Sequence, residues 1–229
     1  MITALRTAAS GLIAESAKQD VIANNIANAQ TAGFKRARTA TTSFAQSLEQ
    51  ALPLSKLEVM PPYPSCGVSG TTVDTEEAID SSGGPIQSTG NDFDFAIDGP
   101  GSFETSSAAG VQHTRAGNFR LGPNGELMTA DGAGVQGQSG TIRLPAGKLE
   151  VNDDGAILVD GAEIDKIKIV GEQRGATRVL QGNLEGANVS VITEMVAMMA
   201  NMRAFEANQK TIWAVDHTLD KLINEAGKV

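Results

Sequence analysis

The sequence predicts an α+β fold, in which α-helices from the two chain ends pair as a coiled-coil-like core domain around a central antiparallel all-β domain. Of 25 glycines, 22 fall between Gly67 and Gly186, where glycine serves turns and weakens helices. At both ends, apolar residues recur at alternating intervals of three and four, as in a coiled-coil seam. The predicted segments are an N-terminal helix (1–35), an extended connector (36–88), the β domain (89–187) and a C-terminal helix (188–229).

The N-terminal helix has a seam that is mostly apolar. Its positions are Ile2, Leu5, Ala9, Leu12, Ser16, Gln19, Ala23 and Ile26. Ser16 and Gln19 interrupt it, and Gly11 permits close approach of a neighbouring helix at a cost of about 1 kcal/mol against alanine. Gly33 is expected to end the helix, because glycine adopts the left-handed conformation found at many helix C-termini.

The C-terminal helix shows the same rhythm more strongly. Its seam positions are Val191, Met195, Met198, Met202, Phe205, Gln209, Ile212, Asp216, Leu219 and Ile223. Ser190 is expected to cap its first turn, and Glu194 suits the positive end of the helix dipole. We therefore expect this helix to pair with the N-terminal helix of its own chain or with neighbouring copies.

The segment between the helices changes character near residue 90. The connector is rich in Thr, Ser and Pro and has no sustained periodicity. From Asp92 onward, Phe93, Phe95 and Ile97 alternate with aspartates, which predicts a half-buried strand with a solvated acidic face. Hairpin turns are predicted at 123–125, 153–155 and 160–161, each between short apolar stretches such as 157–159 and 167–170.

Composition excludes several classes of function. A net charge of −9 opposes binding to nucleic acid. The longest apolar run is six residues, 195–200, whereas a membrane helix needs about 20. Arg6 and Glu15 make a cleavable secretion signal improbable. One cysteine, Cys66, excludes an internal disulfide, and His113 with His217 provide little for metal or triad chemistry.

Local motifs do not overturn this picture. Gly132, Gly134 and Gly137 match the dinucleotide pattern GxGxxG, but turn and strand residues follow where the mechanism needs a helix. We interpret them as turn glycines. Asp92, Asp94 and Asp98 lack the spacing of a calcium loop. No catalytic, cofactor-binding or metal-ligating residues are predicted. The alternatives to an assembly subunit are a nucleotide-binding enzyme using 132–137 and a secreted ligand-binding β domain.

Four ordered stretches resemble the bacterial flagellar rod and hook family. Residues 23–35 (ANNIANAQTAGFK) are similar to its N-terminal signature, and 89–99 (TGNDFDFAIDG) to its first β-strand motif. Residues 114–119 with 124–127 resemble its next hairpin. Residues 181–189, with 194–196 and 203–208, resemble its C-terminal signature. The motifs span nearly the whole chain in the family's order.

The resemblance implies a rod subunit of the flagellar basal body, which polymerises into a helical drive shaft between motor and hook. It implies terminal helices in a tubular core, partners among other rod subunits, and export by the flagellar type III apparatus without a cleavable signal. The surrounding basal-body rings are further expected partners. The short stretch 171–180 favours the proximal-rod member, with the distal-rod member as the alternative.

We expect the assembly interface to lie on the terminal helices and the N-terminal signature. Its predicted residues are Leu5, Leu12, Asn24, Asn25, Ile26, Asn28, Gly33, Phe34, Met195, Met198, Met202, Phe205, Ile212 and Leu219.

Overall fold

The structure, a computed structural model, describes residues 2–43, 73–171 and 177–226. The chain divides into two units. The helical unit comprises Met1–Ile26, Ala37–Asp80 and Ser190–Val229, and the β unit comprises Ala27–Arg36 and Ser81–Val189. The division differs from the predicted segments, because residues 27–36 are grouped with the β unit.

The helical unit contains both long helices and a pair of strands. Helix α1 spans Ile2–Ala27 and helix α2 spans Val191–Ala226. Strand β1 (Ala37–Ser43) pairs with β2 (Val73–Ile79) in an antiparallel arrangement along the whole length of both. Two stretches of the predicted connector are thus strands, and the residues between them, 44–72, lie outside the described residues.

Helix α1 ends at Ala27, and the expectation that Gly33 ends it is wrong. A turn follows, in which the Thr31 amide donates to the Asn28 carbonyl oxygen. Gly33 does adopt a positive φ of 69°, but it does so in the segment beyond the helix. The start of α2 is as predicted: the Thr193 amide donates to Ser190 Oγ at 3.5 Å. Gly227 lies outside the described residues.

The β unit consists of short strands. They are β3 (Ile86–Ser88), β4 (Phe95–Asp98), β5 (Ser102–Ser107), β6 (Gly110–Thr114), β7 (Arg120–Leu121), β8 (Leu127–Met128), β9 (Gly134–Val135), β10 (Leu149–Val151), β11 (Ala156–Val159), β12 (Ala162–Lys166), β13 (Ile169–Val170), β14 (Arg178–Gln181) and β15 (Asn183–Glu185). All strand pairs among the described residues are antiparallel, which confirms the predicted mixed α+β fold with a β-rich domain.

The strands form several small sheets. The largest has the order β13-β5-β9-β8-β7, with β6 also paired to β5, and a second has the order β10-β11-β12. Two further pairs join the end of the unit to its beginning: β14 pairs with β4, and β15 pairs with β3. The C-terminal signature is therefore hydrogen-bonded to strands that the chain forms about 90 residues earlier.

One apolar core holds the β unit together. Its centre is a cluster of three rings, in which Phe119 lies 5.9 Å from Phe95 and 5.2 Å from Phe103 between ring centroids. Aliphatic side chains from the surrounding strands complete it, namely Ile97, Leu127, Val135, Ile142, Leu144, Leu149, Ile157, Val159, Ile167 and Val179. The predicted core positions Phe95 and Ile97 are confirmed.

The predicted hairpin turns are present. Gly125 and Gly155 have φ values of 75° and 79°, and Asp160 and Gly161 both have positive φ between β11 and β12. Such a pair at the centre of a two-residue loop matches the twist of the flanking strands. The predicted solvated face of the first strand is wrong at Asp94, which is buried and accepts hydrogen bonds from Thr89 Oγ1 at 2.7 Å and Asn91 Nδ2 at 3.1 Å.

The glycines of the GxGxxG pattern also differ in part from the prediction. Gly132 lies in a turn with a φ of 87°, but Gly134 belongs to strand β9 and Gly137 forms a bridge to Ile167. Strand and bridge residues follow the pattern, so it lacks the helix on which a pyrophosphate would bind. None of the helices in the described ranges is both long and apolar enough to cross a membrane.

Candidate assembly surface of the terminal helices

Polar groups join the two terminal helices within one chain. Asn201 Nδ2 on α2 donates to the Glu15 carbonyl oxygen on α1 at 2.8 Å and to Gln19 Oε1 at 3.4 Å. Nearer the start of α2, Asn25 Nδ2 donates to a Glu194 carboxylate oxygen at 3.4 Å. Residue numbers rise along one helix as they fall along the other, so the two helices run antiparallel at these contacts.

A glycine allows the two helices to approach at a third point. A Cβ atom placed on Gly11 would lie 3.2 Å from Asn208 Nδ2, closer than side chains ordinarily pack. Residues 194, 201 and 208 are spaced by seven, the repeat of a helix that presents one face to a partner. We call these contacts, with Gly11, Glu15, Gln19 and Asn25 opposite, the polar seam.

On α2, two residues of the polar seam each come one position before an apolar residue of the predicted seam. These two, Glu194 and Asn201, are 1% and 2% exposed, whereas the predicted seam residues Met195 and Met202 are 51% and 48% exposed. Consecutive residues of an α-helix lie about 100° apart around its axis, so Met195 and Met202 lie on a different side of α2 from Glu194 and Asn201. Within one chain, the contact between the terminal helices therefore includes polar and small groups.

The opposite face of α2 carries exposed apolar side chains. Its members are Ile192, Met195, Val196, Met199 and Met202. At about 100° per residue, they lie between about 100° and 180° around the helix from the polar seam, and Met202 is the nearest to it. Contiguous apolar surface of this kind, when it is exposed, commonly marks an interaction site. We call it the methionine stripe.

A groove runs beside the methionine stripe, between the two helices. It has a volume of about 420 Å³ and is lined by Ser16, Gln19 and Asp20 of α1 and by Met202, Phe205 and Glu206 of α2. Met202 and Phe205 are the apolar residues of its lining. Two carboxylates, those of Asp20 and Glu206, belong to its lining. We call it the interhelix groove.

Asn25 links α1 to the strand that follows. Its side chain accepts a hydrogen bond from the Ala37 amide at 3.0 Å and donates to the Ala37 carbonyl oxygen at 2.8 Å. Asn25 is 1% exposed. The amide side chain, with one donor and one acceptor edge, satisfies both backbone groups of Ala37 while also reaching Glu194. This geometry explains why asparagine serves at this position of the N-terminal signature.

In the β unit, three of the signature stretches meet at one carboxylate. Glu185 accepts hydrogen bonds from Lys35 Nζ at 2.6 Å, from the Gly84 amide at 2.8 Å and from Arg115 Nη1 at 3.0 Å. Its own carbonyl oxygen accepts from the Gly33 amide at 2.7 Å. The Glu185 side chain is 1% exposed. The segment 27–36 is thereby fastened to strand β15.

The electrostatics of this cluster favour ionised Glu185. Burial by itself raises the pKa of the carboxyl, but the hydrogen bonds from Lys35, Gly84 and Arg115, with the positive charge of Arg115, outweigh burial and hold the pKa below its usual range. Lys35 and Arg115 are themselves only 14% and 13% exposed. Glu185 therefore faces two positively charged partners whose attraction is little screened by solvent.

Close backbone approaches account for two glycines of the signatures. A Cβ on Gly33 would overlap the backbone of Arg115 and Ala116, and one on Gly117 would overlap the carbonyl oxygen of Phe95. Gly33 also has a positive φ, which side chains other than glycine adopt at a cost. These two glycines allow the backbones of the signature stretches to pack closely against one another.

The predicted interface residues fall into several environments. Met195, Met202 and Asn24 are exposed; Leu12, Ile26, Asn28, Gly33, Phe34, Met198, Phe205 and Ile212 are half-buried; and Asn25 is buried. The side chains of Leu5 and Leu219 lie outside the described residues. The structure brings Gly33 to the Glu185 cluster of the β unit and Asn25 to the polar seam. The role of these residues in assembly stays a prediction.

Sequence reasoning did not assign roles to the polar residues that fasten the signatures. Glu185, Lys35 and Arg115 were part of the recognised stretches, but nothing in their spacing shows that they meet across 150 residues. Likewise, Asn201 and Asn208 sit beside an apolar rhythm that draws attention to their neighbours. The seven-residue spacing of 194, 201 and 208 is the signal that could have identified them.

The described part of the chain contains no group of three or more His, Cys, Asp or Glu side chains placed to hold a metal ion. Cys66 lies outside the described residues.

Comparison with known proteins agrees with this arrangement. Residues 5–35 match the model of the flagella basal body rod protein family, residues 96–159 match the flagellar hook protein FlgE/F/G D1 domain, and residues 180–225 match the flagellar basal body rod FlgEFG protein C-terminal domain. These are the stretches that contain α1, the β-unit core and α2.

Full-length relatives carry corresponding names. The chain is 30% identical to flagellar basal-body rod protein FlgG of Bacillus subtilis, over 98% of this chain and 99% of that one. It is 29% identical to FlgG of Buchnera aphidicola subsp. Schizaphis graminum, over 97% and 99%. It is 28% identical to FlgF of Caulobacter vibrioides, over 92% of each chain. The chain belongs to the flagellar basal-body rod protein family, and it is a structural subunit of the bacterial flagellar basal body.

Proposed function

We propose that this chain polymerises through its terminal helices into the helical drive shaft that transmits torque from motor to hook. The observation that carries the proposal is the methionine stripe, a row of exposed apolar side chains on α2. In a tube of repeating subunits, each copy needs complementary faces that repeat without closing, and neighbouring helices would cover this stripe.

The predicted interface residues fit this proposal in two ways. Met195 and Met202 belong to the methionine stripe, where neighbouring copies would contact them, and Met198 and Phe205 are half-buried on the same helix. Coiled-coil-like pairing of the terminal helices is part of the proposal, with the polar seam fixing its register. Buried polar groups serve this purpose in helical assemblies at some cost in stability.

We further propose that the subunit takes the proximal position in the rod, with the distal position as the alternative. The alignment with the Bacillus subtilis relative runs over 268 positions, so that relative contains stretches that this 229-residue chain lacks. The short connection before β14 supports the proximal position. Relatives named FlgG and FlgF match at nearly equal identity, so identity alone favours neither position.

Its proposed partners are other rod subunits, the flagellar type III export apparatus and the surrounding basal-body rings. The proposed location is the part of the basal body that crosses the periplasm.

A matched pair of variants of the full-length chain tests polymerisation. Val196 in the methionine stripe is 57% exposed, and Val111 in the β unit is 60% exposed. Val196→Lys should abolish concentration-dependent assembly in sedimentation, because it places an ammonium group where a neighbour must pack apolar side chains. Val111→Lys should assemble as the unmodified chain does.

Either of two results would contradict the proposal. One is an unmodified chain that stays monomeric at every concentration and does not join basal bodies in cells. The other is equal assembly of Val196→Lys and Val111→Lys, which would show that the methionine stripe is not an assembly surface.

A further inference from the structure

We propose that Trp213 of one copy of this chain inserts into the interhelix groove of a second copy. Each copy would then present one aromatic knob and one groove. The inference rests on the proposed function, since it names the contact by which neighbouring copies join. It adds a defined donor residue, a defined acceptor site and a direction of growth.

The groove has the size and chemistry of an aromatic site. Its volume of about 420 Å³ lies within the range of about 300–1,000 Å³ of pockets that enclose small molecules. Phe205 and Met202 offer a ring and a polarisable thioether, both of which make favourable contacts with an indole. The Asp20 and Glu206 carboxylates in its lining can accept a hydrogen bond from the indole N–H group.

Trp213 is placed as a donor on the same chain. It is the one tryptophan of the sequence and is 74% exposed on α2. At about 100° per residue, it shares the face of the methionine stripe, opposite the polar seam. Tryptophan is enriched among the residues that contribute most to protein interfaces, because it buries a large rigid surface.

Trp213 cannot reach the groove of its own chain. The residues of α2 that line the groove, 202–206, lie on average nine positions before Trp213. At 1.5 Å per residue this is about 14 Å along a continuous helix. A second copy is therefore required, displaced by a comparable distance along the helix axis.

The charged residues near Trp213 and in the interhelix groove also favour Trp213 as the occupant of the groove. Lys210 and His217 lie one turn before and one turn after Trp213, on one flank of it, and Asp216 lies on the other. The groove presents Asp20 and Glu206. A Trp213 that enters with its Lys210 flank toward these carboxylates gains an attractive pair in a partly desolvated site.

The arrangement also explains open-ended growth. Donor and acceptor are different surfaces of one chain, so the contact is heterologous and leaves each new copy with an unused knob or groove. Contacts of this type generate filaments when the rotation between copies does not close a ring. A symmetric contact of two Trp213 residues would instead stop at a dimer.

Site-directed disulfide cross-linking between two differently tagged full-length chains tests the contact. Both chains carry Cys66→Ser, one carries His217→Cys, which keeps Trp213 and lies one turn from it, and the other carries Gln19→Cys. Gln19 lines the groove, and a disulfide forms only when the Cα atoms approach within about 7 Å. Under mild oxidation we expect a cross-linked product that contains one chain of each kind. The control partner is Ile13→Cys, which is exposed on another face of α1 and should give no product above background.

Trp213 also reports directly on its own burial. Fluorescence of the unmodified chain should shift to shorter wavelength on assembly, and Phe205→Ala should remove that shift.

Trp213→Ala should weaken association by about thirtyfold, the effect of losing a central aromatic anchor. Charge reversal at Lys210 in one chain should be rescued by Glu206→Lys in the other.

The outcomes separate this inference from the proposed function. If the unmodified chain assembles but His217→Cys joins Gln19→Cys no better than Ile13→Cys, the inference is wrong and the proposal of a polymerising subunit is unaffected. Cross-linking of His217→Cys mainly to itself, or of Gln19→Cys mainly to a different rod protein, would also overturn it. If the unmodified chain does not assemble and the cysteine variants do not cross-link, both proposals fail.

Discussion

Replacing Glu185 by glutamine should release the segment 27–36 from the β unit. The carboxylate is 1% exposed and accepts hydrogen bonds from Lys35, Gly84 and Arg115. An amide of the same shape leaves two largely buried cations without a counter-charge. Removing one partner of a buried ion pair typically costs about 3–5 kcal/mol. We expect the free energy of unfolding of the β unit to fall by about that amount.

Urea unfolding of the full-length chain, followed by circular dichroism, measures the effect. Hydrogen exchange at the amide of Gly33, which donates to the Glu185 carbonyl oxygen, reports on the segment directly. The matched control is Glu150→Gln, which removes an ion pair with Lys148. The side chains of this pair are exposed, that of Lys148 to 78% and that of Glu150 to 55%. A pair so exposed contributes less than about 1 kcal/mol. Equal midpoints for the two variants would refute the reasoning.

The same carboxyl predicts how the effect depends on pH. Because folding lowers the pKa of Glu185 from its ordinary value of 4.5, the ionised form is bound more tightly in the folded state. Its contribution is complete well above pH 4.5 and is lost as the pH falls through the lower pKa of the folded state. The difference between the unmodified chain and Glu185→Gln should therefore shrink in acid. A difference that grows below pH 4.5 would contradict the assigned sign.

Three further variants test other contacts. Gly117→Ala should destabilise the β unit by about 1–3 kcal/mol in urea unfolding, because its Cβ overlaps the Phe95 carbonyl oxygen, while Gly83→Ala, with open space around it, should be neutral. Asn25→Ala should cost about 1–3 kcal/mol in helical-unit stability measured by hydrogen exchange, because two backbone groups of β1 lose their partner. Phe205→Ala should leave β-unit melting unchanged but weaken assembly in sedimentation by about 3–5 kcal/mol, as neighbours cover its ring.

The regular features of the fold could be predicted because they depend on local sequence. The turn at Asp160 and Gly161 follows from the conformations that these residues adopt readily, and Ser190 caps α2 because its hydroxyl reaches an amide of the first turn. The alternation that placed Phe95 and Ile97 in the core is likewise local. Such signals need no knowledge of the rest of the chain.

The polar connections could not be predicted because apolar periodicity does not show which polar groups meet. Periodicity places Asp94 in solvent, but Thr89 and Asn91, close to it in the chain, satisfy its carboxylate and allow its burial. The predicted end of α1 is too late, since Gly33 and Lys35 bind to Glu185 instead of continuing the helix. In both cases the free energy comes from partners that sequence periodicity does not reveal.

The two faces of α2 suggest how folding of the helices is coupled to assembly. In the described residues, Asn201 Oδ1 and Glu15 Oε2 of the polar seam are buried without hydrogen-bond partners, which lowers the stability of the pair within one chain. Val21 and Ile22 of α1 are buried, but several apolar side chains of α2 stay exposed, in the methionine stripe. A single chain thus leaves apolar surface of its own helices uncovered. Burial of the stripe by neighbours would supply about 25 cal/mol for each Å² of apolar surface covered. The helices should therefore become most stable within the rod, where assembly and helix ordering reinforce each other.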